Sequence, residues 1–182
     1  GFHMKQTFLS DSHIRLRAPE PEDLDAVYEI ENDSSLWKFG IVTPPYSRFA
    51  FKQYIENIRH DLFADKQLRL MIVEKDNNKI VGIIDLYDFI PLHSHAAVGI
   101  VIHPFFRQRG YATGALTLLC GYASGFLHLK QLYAHIAIDN SACRRLFSSR
   151  RFVECGQLTE WLHTEDGYKD AVIMQRVLDR LG

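Results

Sequence analysis

Apolar positions along the chain recur with two periods, and the alternation between them predicts the elements. Ile14-Arg15-Leu16-Arg17 alternates apolar and basic residues, as a half-buried strand does. Pro19 and Pro21 end it, and Pro21-Glu22-Asp23 opens a helix with acids in its first turn, where they suit the dipole. Leu24, Val27, Tyr28 and Ile30 continue that helix to Glu31. The stretch from Trp37 to Tyr46 reads as an aromatic loop. A second helix is expected from Arg48 to Phe63, with Phe51, Ile55, Ile58 and Leu62 at helical spacing. Strands follow at Leu68 to Glu74 and Lys79 to Phe89, joined by a turn at Asp76-Asn77-Asn78. Ala96 to Ile102 is a third, stopped by Pro104. A glycine-containing loop then leads into a long apolar helix, Tyr111 to Leu127. Next come a strand (Leu132 to Ile138), a helix (Ser141 to Ser149), a strand from Phe152, a turn at Asp166-Gly167 and a last strand, Ala171 to Val177. The order β-α-α-β-β-β-α-β-α-β-β is a mixed α/β (α+β) pattern, with a central sheet flanked by helices.

Composition narrows the function classes. The 182 residues are 47% hydrophobic and 12% aromatic, enough for a real core, and no repeat, linker or low-complexity tract divides them. One domain over 1–182 is expected, with Gly1 to His3 a cloning remnant ahead of a start at Met4. A formal charge of −1 argues against nucleic acid as partner. Cys120, Cys143 and Cys155 form no CxxC pair and fit reduced thiols. No run approaches the roughly 20 apolar residues of a membrane span. A cytoplasmic protein without membrane partners is the expectation.

Chemistry concentrates in Val98-Gly99-Ile100-Val101-Ile102-His103-Pro104-Phe105-Phe106-Arg107-Gln108-Arg109-Gly110-Tyr111-Ala112-Thr113. Here a strand runs through a short loop into a helix. Unpaired N–H groups at a helix start point together and carry partial positive charge, so this is a ready anion site. Gly110 and Ala112 are small enough for phosphate oxygens to approach the backbone, and Arg107 and Arg109 add charge. The spacing is neither GxGxxG nor the Walker pattern. The competing reading is a plain strand–loop–helix connection.

The spacing Arg107-x-x-Gly110-x-Ala112 resembles the pyrophosphate-binding segment of the GNAT superfamily of N-acetyltransferases, whose pattern is Gln/Arg-x-x-Gly-x-Gly/Ala. Asn140, at the start of the helix after the next strand, stands where that family carries an asparagine, and the element order matches from Ile14 to about Val177. Ile14-Arg15-Leu16-Arg17 followed by Asp23-Leu24, and Asp166-Gly167-Tyr168-Lys169-Asp170, are similar to the branch of spermidine and ribosomal-protein acetyltransferases.

The resemblance implies a GNAT-type acyl-CoA N-acyltransferase fold with a mixed, mostly antiparallel central sheet. It implies acetyl-CoA as co-substrate, transfer of acetyl directly from the thioester to a primary amine, and no metal. The backbone of Ile100, Val101 and Ile102 would pair with the pantetheine arm. The amides of Arg107, Gln108, Arg109, Gly110, Tyr111 and Ala112 would hold the pyrophosphate, and Asn140 would bind pantetheine. One of Arg144, Arg145, Arg150 and Arg151 would meet the 3′-phosphate, unless they simply form a solvated face.

Three positions depart from the family. Ala97 replaces a glutamate that serves as base. Phe147, counted with the cofactor residues, stands where a tyrosine protonates sulfur. Arg151 replaces a helix-ending glycine, which disfavours a left-handed cap. Asp85, His135 and Glu31 are substitute bases, with Asp88 beside them. Asp85 and Asp88 read equally as solvent-facing strand residues, and His135 as a hydrogen-bonded core residue. The acceptor should enter between the first two helices and the final hairpin. The loop from Trp37 to Tyr46 is apolar and slightly basic, which argues against a polycation and leaves a small-molecule amine or a peptide N-terminus. Homo-oligomerisation is left open. A second class, a degenerate acyl-CoA-binding sensor or interaction domain without catalysis, follows from Ala97 and Phe147.

Overall fold

A computed structural model describes residues 8–31 and 47–178. The strands are β1 (Ile14–Arg17), β2 (Leu68–Glu74), β3 (Ile80–Ile90), β4 (His95–Ile102), β5 (Gln131–Ala137), β6 (Val153–Thr164) and β7 (Gly167–Val177). The helices are α1 (Leu24–Glu31), α2 (Arg48–Asn57), α3 (Leu62–Asp65), α4 (Tyr111–Gly125) and α5 (Ser141–Ser149), with 3-10 turns at Pro21–Asp23 and Pro104–Phe106. They fall into two compact units, residues 1–19, 58–132 and 177–182 in one, and 20–57 and 133–176 in the other. The loop expected from Trp37 to Tyr46 lies outside the described residues.

In the first unit β1, β2, β3 and β4 pair antiparallel in that order. Alternation sets two faces. Leu16, Leu70, Ile84 and Val98 fall on one, which α4 covers through Ala115, Leu116 and Leu119, all essentially without exposure. The β2–β3 turn closes where expected: Glu74 N–H donates to the Lys79 carbonyl at 2.8 Å, and Asn78 takes a positive φ of 59°. Gly82 is required where it stands, because a β-carbon there would strike the Val101 carbonyl oxygen on β4. The Ser94 carbonyl, just before β4, accepts from Lys130 N–H at 2.8 Å, just before β5.

Helix α2 stops at Asn57 rather than running on to Phe63. His60 adopts φ +56°, Asp61 caps α3 by accepting from Phe63 N–H at 2.9 Å, and Asp65 accepts from Arg59 N–H at 3.0 Å. Short carboxylates compete for backbone donors and end the helix that the apolar spacing continues.

In the second unit Asp23 accepts from Glu20 N–H and starts the turn leading into α1. Strand β7 begins at Gly167 and pairs antiparallel with β6. The ladder slips between Leu158 and Leu162. There Asp170 accepts from Glu160 N–H at 2.8 Å and from the Gln157 amide at 2.6 Å. Both bonds hold the Asp170 carboxyl below its ordinary pKa, the backbone one most.

The left-handed cap forms after α5 without its glycine. Arg151 takes φ +69°, and Arg151 and Phe152 donate to the carbonyls of Ser148 and Phe147 at 3.1 and 3.0 Å. The two closing bonds and buried Phe152 outweigh the cost of a non-glycine residue there, on the order of 1 kcal/mol. Replacing Arg151 by glycine should therefore stabilise the protein by about that amount, a rise of roughly 2–4 °C in a thermal scan. No rise would mean that contacts of the arginine side chain offset the backbone strain.

Candidate active site

Strand β4 carries the first predicted segment. Ile100, Val101 and Ile102 pair with Ile84, Ile83 and Gly82 of β3 and are half-buried. Beyond Ile102 the loop satisfies its own inner groups. His103 Nδ1 accepts from Phe105 N–H at 3.2 Å, the His103 carbonyl accepts from Phe106 N–H at 2.8 Å, and Arg107 Nε donates to the Ile102 carbonyl at 3.4 Å.

Gln108 then has φ +62° and Gly110 φ +82°, with Arg109 between them on the negative side. Alternating signs of φ turn successive N–H groups toward one concavity, the nest that binds anions. It runs straight into α4, whose first amides, those of Tyr111, Ala112 and Thr113, have no intrahelical acceptor. Gly110 caps the helix without a side chain, and a β-carbon on it would meet nothing within 4 Å. The space beside Gly110 is open. These groups fit a pyrophosphate. Sequence spacing found Gly110, while the turn at Gln108 carries no signal of its own, since glutamine is not a left-handed former.

Aromatic side chains brace the loop, a feature the spacing did not reveal. Phe105 and Phe106 meet edge to face at 5.0 Å, Phe106 meets Tyr111 at 6.2 Å, and the Arg109 guanidinium lies over both phenylalanine rings at 5.1 and 5.7 Å. The Tyr111 hydroxyl donates to Glu74, which pushes the phenol above its ordinary pKa, with burial and the Glu74 charge adding to it.

In the second unit Asn140 caps α5, its side-chain oxygen accepting from Cys143 N–H at 3.1 Å. The amide NH₂ is left to donate. Ser141, Arg144, Arg145 and Ser148 share one face of α5 and, with Glu154, line a shallow recess of about 280 Å³. Arg144 pairs with Glu154 and donates to the Ile138 carbonyl at 2.8 Å. Phe147 corrects an expectation: its ring is 1% exposed and packs edge to face on Phe152 at 4.9 Å. It is a core side chain here, with no surface to offer a cofactor.

The substitute bases differ in environment. Both Asp85 oxygens accept from Arg69, at 3.0 and 2.9 Å, in a bidentate pair. Asp88 is exposed at φ +49°, where the β3–β4 register slips. Glu31 ends α1, half-buried. His135 is exposed on β5 rather than a core residue. Its ring lies 5.5 Å from Tyr133 and 6.1 Å from Trp161, and neither ring nitrogen has a hydrogen-bond partner among the described residues. Among the described residues, no group of three or more His, Cys, Asp and Glu is placed to hold a metal. No helix among them is long and apolar enough to cross a membrane.

The acetyltransferase (GNAT) domain family matches residues 13–153, and the chain belongs to it. It is similar to the curated spermidine N(1)-acetyltransferase of Vibrio cholerae, 25% identical over 174 residues, covering 93% of this chain and 98% of that one. The enzyme of that name from Escherichia coli K12 is 26% identical over 161 residues, covering 88% and 84%. A solved structure of the Vibrio spermidine N-acetyltransferase in complex with CoA and spermine matches at a TM-score of 0.84 and 22% identity, covering 93% and 98%. The dodecameric structure of that protein matches at 0.79 and 24%, covering 93% and 96%. The fold is the GNAT acyltransferase fold, and the chain is an N-acetyltransferase that uses acetyl-CoA.

Direct transfer makes no use of a protein thiol, and Cys143, half-buried in the first turn of α5, is poorly made for a nucleophile. Desolvation pushes the Cys143 thiol up to about 12, so at pH 8 thiolate is a minute fraction of it. Cys120 is buried and Cys155 exposed. Maleimide at pH 8 should label Cys155 promptly, Cys143 far more slowly and Cys120 only on unfolding, read by peptide mass spectrometry. Labelling of Cys143 as fast as that of Cys155 would contradict its raised thiol pKa.

Proposed function

We propose that the acceptor is a small-molecule primary amine, and that the nest from Gln108 through the first turn of α4 holds the pyrophosphate of acetyl-CoA. The nest is the observation that carries this reading: alternating left-handed residues with open space beside Gly110, in the segment whose Arg-x-x-Gly-x-Ala spacing resembles the family's. When bound, acetyl-CoA would supply a thioester whose carbonyl carbon the amine attacks, so that an amide C–N bond forms, the C–S bond breaks, and CoA leaves as the thiolate. The edge of Ile100 to Ile102 would orient the pantetheine arm. The curated relatives named for spermidine make polyamines the first acceptors to try. Against them stands the sequence from Trp37 to Tyr46, which holds no carboxylate. A peptide N-terminus is the other acceptor in view.

An amine of lysine type carries its proton at neutral pH, so attack needs that proton removed. Of the candidate bases, His135 is an exposed side chain whose ring nitrogens have no hydrogen-bond partner among the described residues, whereas Asp85 is occupied by Arg69. We assign the proton transfer to His135. In a primary-amine panel that includes spermidine, His135→Gln should lower kcat about 10²-fold or more with acetyl-CoA affinity held. An unchanged kcat would return the role to solvent or Asp85.

A single domain, cytoplasmic residence and self-association complete the reading. The family match crosses both compact units. Strand β6 supports self-association, being exposed along nearly all its length with Val153 at 66% and Trp161 at 54% exposure, while a related protein forms a dodecamer. A thermal scan tests the cofactor site. At 1 mM, acetyl-CoA binding at about 10 μM would add on the order of 2.7 kcal/mol and several degrees. Gly110→Val, whose branched side chain sits over the amides, should lose most of that shift. A full shift in Gly110→Val places the pyrophosphate elsewhere, and no shift in the unmodified protein defeats the site. Binding without CoA release from any amine in the panel would leave an acyl-CoA-binding module.

A further inference from the structure

Tyr111 is the first residue of α4, and its phenol donates a hydrogen bond to Glu74, the last residue of β2 and 37 positions earlier. Glu74 is a fixed post. Its N–H donates to the Lys79 carbonyl at 2.8 Å, its own carbonyl accepts from Asn78 N–H at 2.9 Å, and it pairs with Ile14 of β1. On the other side, the Tyr111 ring meets Phe106, whose neighbours are Phe105, His103 and Arg109. The bond therefore ties the sheet to the residue that follows the nest. With glycine as N-cap, no side chain holds the helix start from the loop side. A carboxylate acceptor makes this a charge-assisted bond, stronger than one between neutral groups.

We infer that the Glu74–Tyr111 hydrogen bond is a positioning device that sets the first turn of α4, and with it the aim of the amides from Gln108 to Ala112. It rests on the reading that these amides hold the pyrophosphate. Glu74 touches no ligand in this assignment. It acts through Tyr111, whose own backbone amide belongs to the site. The bond changes binding by keeping the donors converged before the ligand arrives, which lowers the ordering cost of association.

Calorimetric titration of acetyl-CoA tests this with four variants. Tyr111→Phe keeps the ring on Phe106 and removes only the hydroxyl, and Glu74→Ala removes the acceptor. Each should weaken binding about two- to tenfold, the range of one net hydrogen bond, with the melting temperature lowered by no more than about 4 °C. Glu74→Gln keeps an oxygen acceptor but gives up the charge assistance, so it should lose less affinity than Glu74→Ala. The double variant Glu74→Ala/Tyr111→Phe should bind no more weakly than the weaker single, since both remove one bond. Unmodified affinity in Tyr111→Phe, with binding impaired in Gly110→Val, overturns the positioning role and leaves the loop reading intact. Equal losses in Glu74→Gln and Glu74→Ala overturn it as well, and so do fully additive losses in the double variant. Unchanged affinity in Gly110→Val removes the loop reading itself.

Discussion

Every backbone N–H must find an acceptor, a solvent molecule or a ligand, and the segment after β4 is arranged around that constraint. His103 uses its carbonyl and a ring nitrogen to take the donors of Phe106 and Phe105. Past Arg107 the backbone turns left-handed twice in three residues and sends its donors outward. They converge because of those two φ values, whichever side chains surround them. The arginines contribute less directly than their number suggests, since Arg109 lies over Phe105 and Phe106, and Arg107 donates to its own strand. Oriented peptide dipoles give the concavity its direction, and the guanidinium groups frame the loop and add their charge to it.

Much of this was legible in the sequence. Period-two stretches gave strands within a residue of their observed ends except β7, which begins at Gly167 rather than Ala171, and the Asp76-Asn77-Asn78 turn fell where its residues ask for one. Helix α5 begins at the asparagine whose side chain caps it. What escaped was set by groups distant in the chain or by competition along it. The break after Asn57 depends on Asp61 and Asp65 claiming backbone donors against a pattern that still looked helical at Ile58 and Leu62. Arg151 adopts a conformation its type disfavours because Phe152 must reach the core. Neither energy appears in a periodicity.

The candidate site divides in the same way. Gly110 and Asn140 were readable because each has a local reason, a conformation for one and a cap for the other. Phe147 was placed by alignment of a motif, and burial against Phe152 gives its ring a different role. His135 went the other way: an apolar strand suggested a core imidazole, yet alternation along β5 turns it outward between Tyr133 and Trp161. Glu74 had no local signal, since its partner lies on another element.

The cramped backbone at Gly82 has a mechanical consequence. With the Val101 carbonyl against that α-carbon, a one-residue slide of β3 along β4 would bring Val81 or Ile83 to the same spot, where a side chain cannot fit. The strand that leads into the loop from His103 to Gly110 is thus locked in register to its neighbour, and the pair can hinge or twist but resists sliding. Any adjustment that accompanies ligand entry has to be taken up beyond Ile102, so thermal motion in β4 is not passed to the loop as sliding, and the loop's own rearrangements do not travel back into the sheet.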